Sequence, residues 1–235
     1  MKYIVFGEDN RMDEVRRLLG GERGKELCCV FAPAVRLGLD ETERIPRGSK
    51  VFAGGVRPEA EGAVNEKNLQ VVRYSDNAEF GRKNALYTAE STLLILLSKI
   101  NTQLGENKIL LIGYGKCGRA IARYLFGLTA DFTVMTSCPE NAEIYTAAVG
   151  YGADIGAYDV IINTAPARII SDAQLETLKK TAVIIDISSQ PYGLDHVYAR
   201  SLGLDSEVYP ALPAKYRYIS AAKAIAELIK EDKND

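Results

Sequence analysis

The sequence predicts an α/β protein: a C-terminal parallel sheet of the doubly wound kind behind a smaller α/β N-terminal domain. Three observations carry that expectation. From residue 108 onward, short apolar and β-branched runs alternate with helical patterns, which is the βαβ rhythm. The runs KILLIG, DVIINT and AVIIDI are apolar at almost every position, as strands are when both faces of a parallel sheet are covered. The turn GYGKCG follows the first of these strands directly and opens a helix.

Each element then takes its place in order. KYIVFG reads as a first strand and MDEVRRLL as the helix behind it, with CCVFAPAV, KVFAGGV and LQVVRY as three further short strands. The polar, proline-containing GLDETERIPRG leaves little room for a long helix between Cys29 and Val51, so this first domain, residues 1–86, is abbreviated. An apolar helix from about Thr88 to Ile100 follows, with the Thr88 hydroxyl in position to cap it. It leads with the turn-like NTQLGENK through a connecting segment, residues 87–107. The remaining residues, 108–235, read as strand KILLIG, helix RAIARYLFGL, strand ADFTVMT and a polar helix near 140–150. Then come strand DVIINT, helix SDAQLETLKK, strand AVIIDI, helix LDHVYARSLGL, the short strand SEVYP and the closing helix SAAKAIAELIK. That last helix has the place from which it would pack back on the first domain.

Composition excludes several classes of function. The 235 residues are 47% apolar, enough for a full core, and 29 basic against 31 acidic residues leave no basic block to track a phosphate backbone. The longest apolar run, LLILL, is too short to span a bilayer, and the N-terminus meets charge within eight residues, unlike a signal peptide. The expectation is a cytoplasmic protein that binds neither nucleic acid nor membrane. Cys28, Cys29, Cys117 and Cys138 lack metal-binding or redox spacing, so no metal is expected. Cys117 sits inside the glycine turn, where a helix N-terminus would lower its pKa, although any small residue would fill that slot. The single histidine, His196, lies in a polar stretch and reads as a solvated helix-face residue.

The glycines have the setting that dinucleotide binding requires, which makes the sheet Rossmann-type. Gly113 permits the tight turn, Gly115 lets the backbone approach a pyrophosphate, and Gly118 lets helix and strand pack closely, with Tyr114, Lys116 and Cys117 between them. An NAD site places an acid at the end of the second strand; here Met135, Thr136 and Ser137 stand there. No carboxylate repels a 2′-phosphate and two hydroxyls are available to bond it, so NADP is favoured over NAD, with Lys116 or Arg119 adding charge. Glu140 falls too far along. At the fourth strand end Asn163, Thr164 and Pro166 border the nicotinamide ribose. At the fifth stand Asp186, Ser188 and Ser189. The plainer alternative is that Asp186 bonds neighbouring backbone and Pro166 merely ends a strand.

Six segments together resemble one known family, that of the dipicolinate synthase A chain: GEDNR at 7–11, NALYTAE at 84–90, GYGKCG, NTAPA, DISSQPYGLD and ALPAKYRYISA. The resemblance is dense over 84–230 and thin between 12 and 83. It implies an NADP-dependent oxidoreductase that dehydrogenates a dihydro- or hydroxytetrahydropyridine dicarboxylate to dipicolinate, the spore calcium chelator, beside a flavoprotein-like B-type partner. It also assigns Arg11 and Lys215 to the carboxylates of a small substrate, and leaves Glu90, Lys215 or a water to accept the proton. The family pattern and the apolar face of the 88–100 helix imply a homo-oligomer. Two departures bear on the substrate: Gln190 replaces a basic residue before the proline of the fifth-strand loop, and Ser91 replaces the glycine after TAE. With the short first domain they keep a second reading open, a non-catalytic nucleotide-binding or accessory protein. A 2-hydroxyacid dehydrogenase would need a histidine paired with a carboxylate near the end of the Rossmann domain, and His196 sits in the wrong segment, in the helix after the fifth strand.

Overall fold

The computed structural model describes residues 2–20, 27–142 and 146–232, and the chain divides into two compact units: Met1–Asn84 with Pro213–Asp235, and Ala85–Leu212. In the first unit β1 (Lys2–Val5) runs into α1 (Asn10–Leu19), whose N-cap Asp9 accepts a hydrogen bond from the Met12 amide at 2.9 Å. β2 (Leu27–Val30), β3 (Arg36–Leu37), α2 (Leu39–Glu43), β4 (Lys50–Ala53), β5 (Gly55–Val56), α3 (Glu61–Glu66) and β6 (Gln70–Arg73) follow. Four of the strands form a parallel sheet in the order β1-β2-β4-β6, with β3 and β5 pairing apart from it. Phe31, Leu37, Ile45 and Val51 fill a core on that sheet.

α4 (Ala78–Lys99) begins ten residues before the position expected from the apolar run. Asn77, not Thr88, caps it, its Oδ1 accepting from the Phe80 amide at 2.7 Å. The first turns carry polar residues because they are half exposed, which hides them from an apolar-pattern reading.

The second unit holds β7 (Lys108–Ile112), α5 (Lys116–Gly127), β8 (Asp131–Met135), β9 (Ala147–Val149), β10 (Val160–Asn163), α6 (Asp172–Thr177), β11 (Val183–Asp186), α7 (His196–Ser201) and β12 (Asp205–Val208). All six strands are parallel, in the order β12-β11-β10-β7-β8-β9. This is the doubly wound arrangement of two mononucleotide-binding halves, reversing between β7 and β10. The polar helix expected near 140–150 is instead a single 3-10 turn, Pro139–Asn141, followed by β9; residues 143–145 of that expectation lie outside the described residues. Ala147, Ala148 and Val149 pair with Thr133, Val134 and Met135, too short a run to show a strand period.

Both faces of this sheet are covered by apolar side chains. Ile109, Leu111, Ile162 and Ile185 pack with Ala89, Leu96, Ile121 and Leu125 of α4 and α5. Leu110, Ile112, Ile161 and Ile184 face Leu175, Ala199 and Leu204 on the other side. Each buried aliphatic side chain contributes roughly 1.5–3 kcal/mol, so the strand ends emerge from a stiff base.

α8 (Leu212–Tyr216) leads to α9 (Tyr218–Glu231), which packs on α1 in the first unit. Lys83 bonds Glu227 at 2.8 Å and Lys50 pairs with Asp232 just beyond the helix.

Candidate functional site

The carboxyl ends of β7, β8, β10 and β11 form one edge of the second unit's sheet, and the loops leaving them are stitched together by backbone bonds. The Gly113 amide donates to Met135 O at 2.8 Å, Thr164 N to Ile112 O at 2.8 Å and Ile187 N to Asn163 O at 3.0 Å. Parallel pairing in register puts these ends level, so residues distant in sequence converge without any special contact.

The three glycines of the turn have three distinct situations. Gly113 has φ +91°, a conformation L side chains rarely adopt, and a Cβ there would stand 2.5 Å from Thr164 Oγ1. A Cβ on Gly118 would meet the Gly113 carbonyl oxygen at 2.1 Å. At Gly115 a Cβ would meet nothing within 4 Å. Gly115 is also the N-cap of α5 and supplies no side-chain cap, and no acid lies in the first turn. An anion seated over Gly115 would therefore face amides and the positive end of a helix dipole.

Around the turn, Lys116 and Arg119 are exposed and Tyr114 is half-buried, with the Arg119 guanidinium 6.0 Å from its ring centroid. Cys117 departs from the activation suggested by its place in the loop: burial pushes its thiol pKa up, outweighing a hydrogen bond with Thr88 and the charge of Lys116. At the end of β8 only one of the two expected hydroxyls faces out. Ser137 is exposed, whereas Thr136 is buried, its amide bonded to Val149 O at 3.0 Å, because β9 covers that side.

The ends of β10 and β11 contain a buried polar network that the sequence does not reveal. Asn163 and Asp186 are fully buried, Ser188 is 7% exposed, and Thr164 is half-buried with its Oγ1 donating to Ile112 O at 2.9 Å. Asp186 accepts bonds from Asn163 Nδ2 (3.0 Å), Ser188 N (2.8 Å), Gly193 N (2.9 Å) and His196 Nε2 (3.1 Å). Asn163 clasps its own loop as well, donating to Ala165 O at 3.1 Å and accepting from Ala165 N at 3.2 Å. Asn163, Asp186 and the Ser188 backbone therefore shape the loops from inside. Pro166 and Ser189 stand at the surface.

His196 is not a solvated residue. It is 7% exposed, and its Nδ1 lies 2.7 Å from Ser206 Oγ. Asp195 caps α7 by accepting from Val197 N and Tyr198 N, which makes His196 the first helical residue and turns it, like Ala199 three residues on, toward the sheet. That cap followed by the 196/199 spacing is the signal by which its burial is legible. Since the carboxylate only accepts, Nε2 carries the proton it shares with Asp186, and in the neutral ring Nδ1 accepts from Ser206. Burial raises the Asp186 pKa, but the bonds from His196, Gly193, Ser188 and Asn163 outweigh it and hold the carboxyl below its ordinary range.

The other expected site residues are placed as follows. Glu90 accepts a bond from Tyr124 OH at 3.1 Å. Ser91 is fully buried and donates to Tyr87 O at 2.7 Å, filling the position where the resemblance expects glycine. Arg11 belongs to the first unit; it is 6% exposed, its Nη2 bonds Asp9 at 3.1 Å, and its Nε is buried with no hydrogen-bond partner among the described residues. Lys215 is exposed on α8. Among the described residues no cluster of histidine, cysteine or carboxylate side chains could hold a metal, and no helix is long and apolar enough to cross a membrane.

This architecture is shared with known proteins. Over 204 residues the chain is 22% identical to the dipicolinate synthase A chain of Bacillus subtilis (strain 168), covering 84% of this chain and 69% of that one. The resemblance is to the dipicolinate synthase A chain. The crystal structure of its counterpart from Bacillus halodurans superposes with a TM-score of 0.82 at 18% identity, over 100% of this chain and 98% of the other. An NAD-dependent formate dehydrogenase from Staphylococcus aureus, solved in complex with NAD, has the same fold with a TM-score of 0.68 at 14% identity over 100% and 95% of the two chains. No family model matches the chain. The mixed α/β fold, with its six-stranded parallel sheet and smaller parallel sheet, is thus shared with a dipicolinate synthase A chain and an NAD-dependent formate dehydrogenase.

Proposed function

We propose that the chain is an NADP-dependent oxidoreductase working in the manner of the dipicolinate synthase A chain, on a dihydro- or hydroxytetrahydropyridine dicarboxylate. One observation carries the reading: above the uncapped N-terminus of α5, Gly115 opens onto empty space between two glycines whose positions admit no side chain. That is the cradle a pyrophosphate needs. The residues present fit the nucleotide: the first-turn amides of α5 would hold the pyrophosphate, Ser137 and Lys116 the 2′-phosphate, and Thr164 and Pro166 would border the nicotinamide ribose. When bound, the nicotinamide ring supplies the hydride acceptor.

The chain's own work is binding and orientation. The resemblance gives one substrate carboxylate to Arg11, whose guanidinium is mostly buried and bonded to Asp9, and the other to the exposed Lys215. For the proton, Glu90 or a water would be the acceptor, since Lys215 paired with a carboxylate is a cation without a free lone pair; a carboxylate such as that of Glu90 has acceptor positions beyond the one bonded by Tyr124. The resemblance supports a homo-oligomer in the cytoplasm of a sporulating cell, partnered by a B-type flavoprotein. One observation favours the accessory reading instead: Gln190, exposed at the fifth-strand loop, stands where the resemblance expects a cation.

Titration of the purified protein with NADPH and NADH, followed by nucleotide fluorescence and thermal midpoint, tests the proposal, since a ligand of the native state alone must raise the midpoint. NADPH is expected to bind more tightly than NADH, and dihydropyridine dicarboxylates then to turn over. Binding of neither nucleotide at millimolar concentration would make the glycine turn structural; binding without turnover would leave the accessory reading.

A further inference from the structure

Ser206, His196, Asp186, Asn163 and the loop 164–166 form one continuous hydrogen-bonded relay inside the second unit, and nothing in the chemistry proposed above uses its titratable members. The relay begins on the outermost strand, β12, at Ser206 Oγ, 2.7 Å from His196 Nδ1. It passes through His196 Nε2 to Asp186 and through Asp186 Oδ1 to Asn163 Nδ2. Asn163 then holds Ala165 by both amide and carbonyl, while the adjacent Thr164 hydroxyl donates to the carbonyl of Ile112, the residue before the glycine turn. On its other side Asp186 holds the amides of Ser188 and Gly193, which fixes both ends of the loop after β11. That loop is then packed against the first: a Cβ at Gly193 would stand 2.3 Å from Asn163 Nδ2. The Tyr192 ring meets the His196 ring edge-on at 5.8 Å and closes the cage.

The relay touches the two loops at the ends of β10 and β11 but not the end of β8. In a doubly wound sheet these serve different halves of a dinucleotide: the β7-β8-β9 half takes the adenosine, the β10-β11-β12 half the nicotinamide. We propose that His196 is a positioning residue for the nicotinamide half of the site, acting through Asp186 to hold the 164–166 and 188–193 loops in the shape that receives the nicotinamide ribose. It rests on the nucleotide-binding reading. A hydrogen bond to a buried carboxylate is the strong kind, and removing its donor leaves the fully buried Asp186 short of a partner.

The test compares NADPH with adenosine 2′,5′-bisphosphate, which keeps the adenosine half of the nucleotide and lacks the nicotinamide and its ribose. In His196→Leu, which keeps bulk but removes the donor, NADPH affinity is expected to fall about tenfold while adenosine 2′,5′-bisphosphate affinity stays within about twofold. In His196→Gln, whose amide reaches the position of Nε2, the wild-type ratio of the two affinities should return. Loss of both affinities alike in the leucine variant would overturn the proposal, because His196 would then be supporting the whole unit. Retention of both would overturn it equally. Should His196→Leu fail to fold, His196→Asn replaces it, its amide reaching the position of Nδ1 and leaving Asp186 without the donor. Equal affinity ratios in the asparagine and glutamine variants then overturn the proposal. If the wild type binds neither probe, it is the nucleotide reading that has failed, a result separate from any of these.

Discussion

Gly118 lies so close to Gly113 that a Cβ on the former would stand 2.1 Å from the carbonyl oxygen of the latter, whereas Gly115, between them in the same turn, faces open space. The three positions therefore answer substitution differently. Gly118→Ala must push the turn away from α5 and is expected to cost about 1–3 kcal/mol or more, as overpacking against backbone does. Gly115→Ala adds a methyl at φ −76°, an ordinary conformation, where lost N-cap preference and reduced unfolded-state entropy roughly offset each other, within about 0.5 kcal/mol. Nucleotide binding should weaken at least tenfold all the same, because the methyl enters the space over the helix N-terminus. Urea midpoints and NADPH titration on the two variants check both halves; an unchanged NADPH affinity in Gly115→Ala would remove the ligand from that space.

Asp186 supplies a pH dependence whose sign is fixed. Burial raises its pKa, but the four donors, led by His196, lower it further than burial raises it, so the folded value lies below the ordinary 3.8. A lowered folded pKa gives stability that is complete above about pH 5 and is lost as pH falls through 3.8 toward the folded value. Asp186→Asn, which faces donors with an amide, is expected to cost on the order of 3 kcal/mol near neutral pH, and its gap from the wild type should narrow in acid. Urea unfolding of both proteins from neutral pH down to about pH 3 measures the gap. A constant gap would place the effect in packing rather than in the carboxylate's charge.

Much of this architecture is legible in the sequence because it is local. KILLI, VIIN and VIID are apolar throughout or nearly so, so they read as central parallel strands, and they are. The glycine turn is recognisable because strand, turn and helix are consecutive. What escapes is whatever depends on distant residues meeting. Asn163, Asp186, His196 and Ser206 come together only through sheet register, and nothing local to His196 except the Asp195 cap marks it as buried. Thr136 loses its solvent to β9, a three-residue strand with no readable period. The start of α4 is hidden for the opposite reason: its first turns are polar and partly exposed, and only the Asn77 cap announces them.

The cysteines should separate by burial. Desolvation raises the Cys117 thiol pKa against the weaker opposing effects of Thr88 and Lys116, while Cys138 is exposed beside Ser137. Alkylation at mildly alkaline pH is expected to label Cys138 first and Cys117 at least about tenfold more slowly, with Cys28 and Cys29 protected in the first unit's core. Peptide mapping by mass spectrometry follows the order. Equal rates at Cys117 and Cys138 would show that the glycine turn opens readily.

In the first unit the sharpest prediction falls on Tyr74, which sits at the end of β6 with its ring against Phe80 at 5.0 Å and Phe52 at 6.4 Å. Its hydroxyl donates to Phe31 O at 3.0 Å, and burial drives its pKa well above the ordinary tyrosine range. Tyr74→Phe keeps the ring packing but leaves the Phe31 carbonyl without this donor, so it should cost about 1–2 kcal/mol in urea with an unchanged m-value. The same burial predicts that alkaline titration followed by ultraviolet absorbance will ionise exposed tyrosines while Tyr74 ionises only with unfolding. If Tyr74→Phe removes no absorbance change from that unfolding step, the hydroxyl is reached by solvent and its hydrogen bond to Phe31 does not hold the end of β2 to the end of β6.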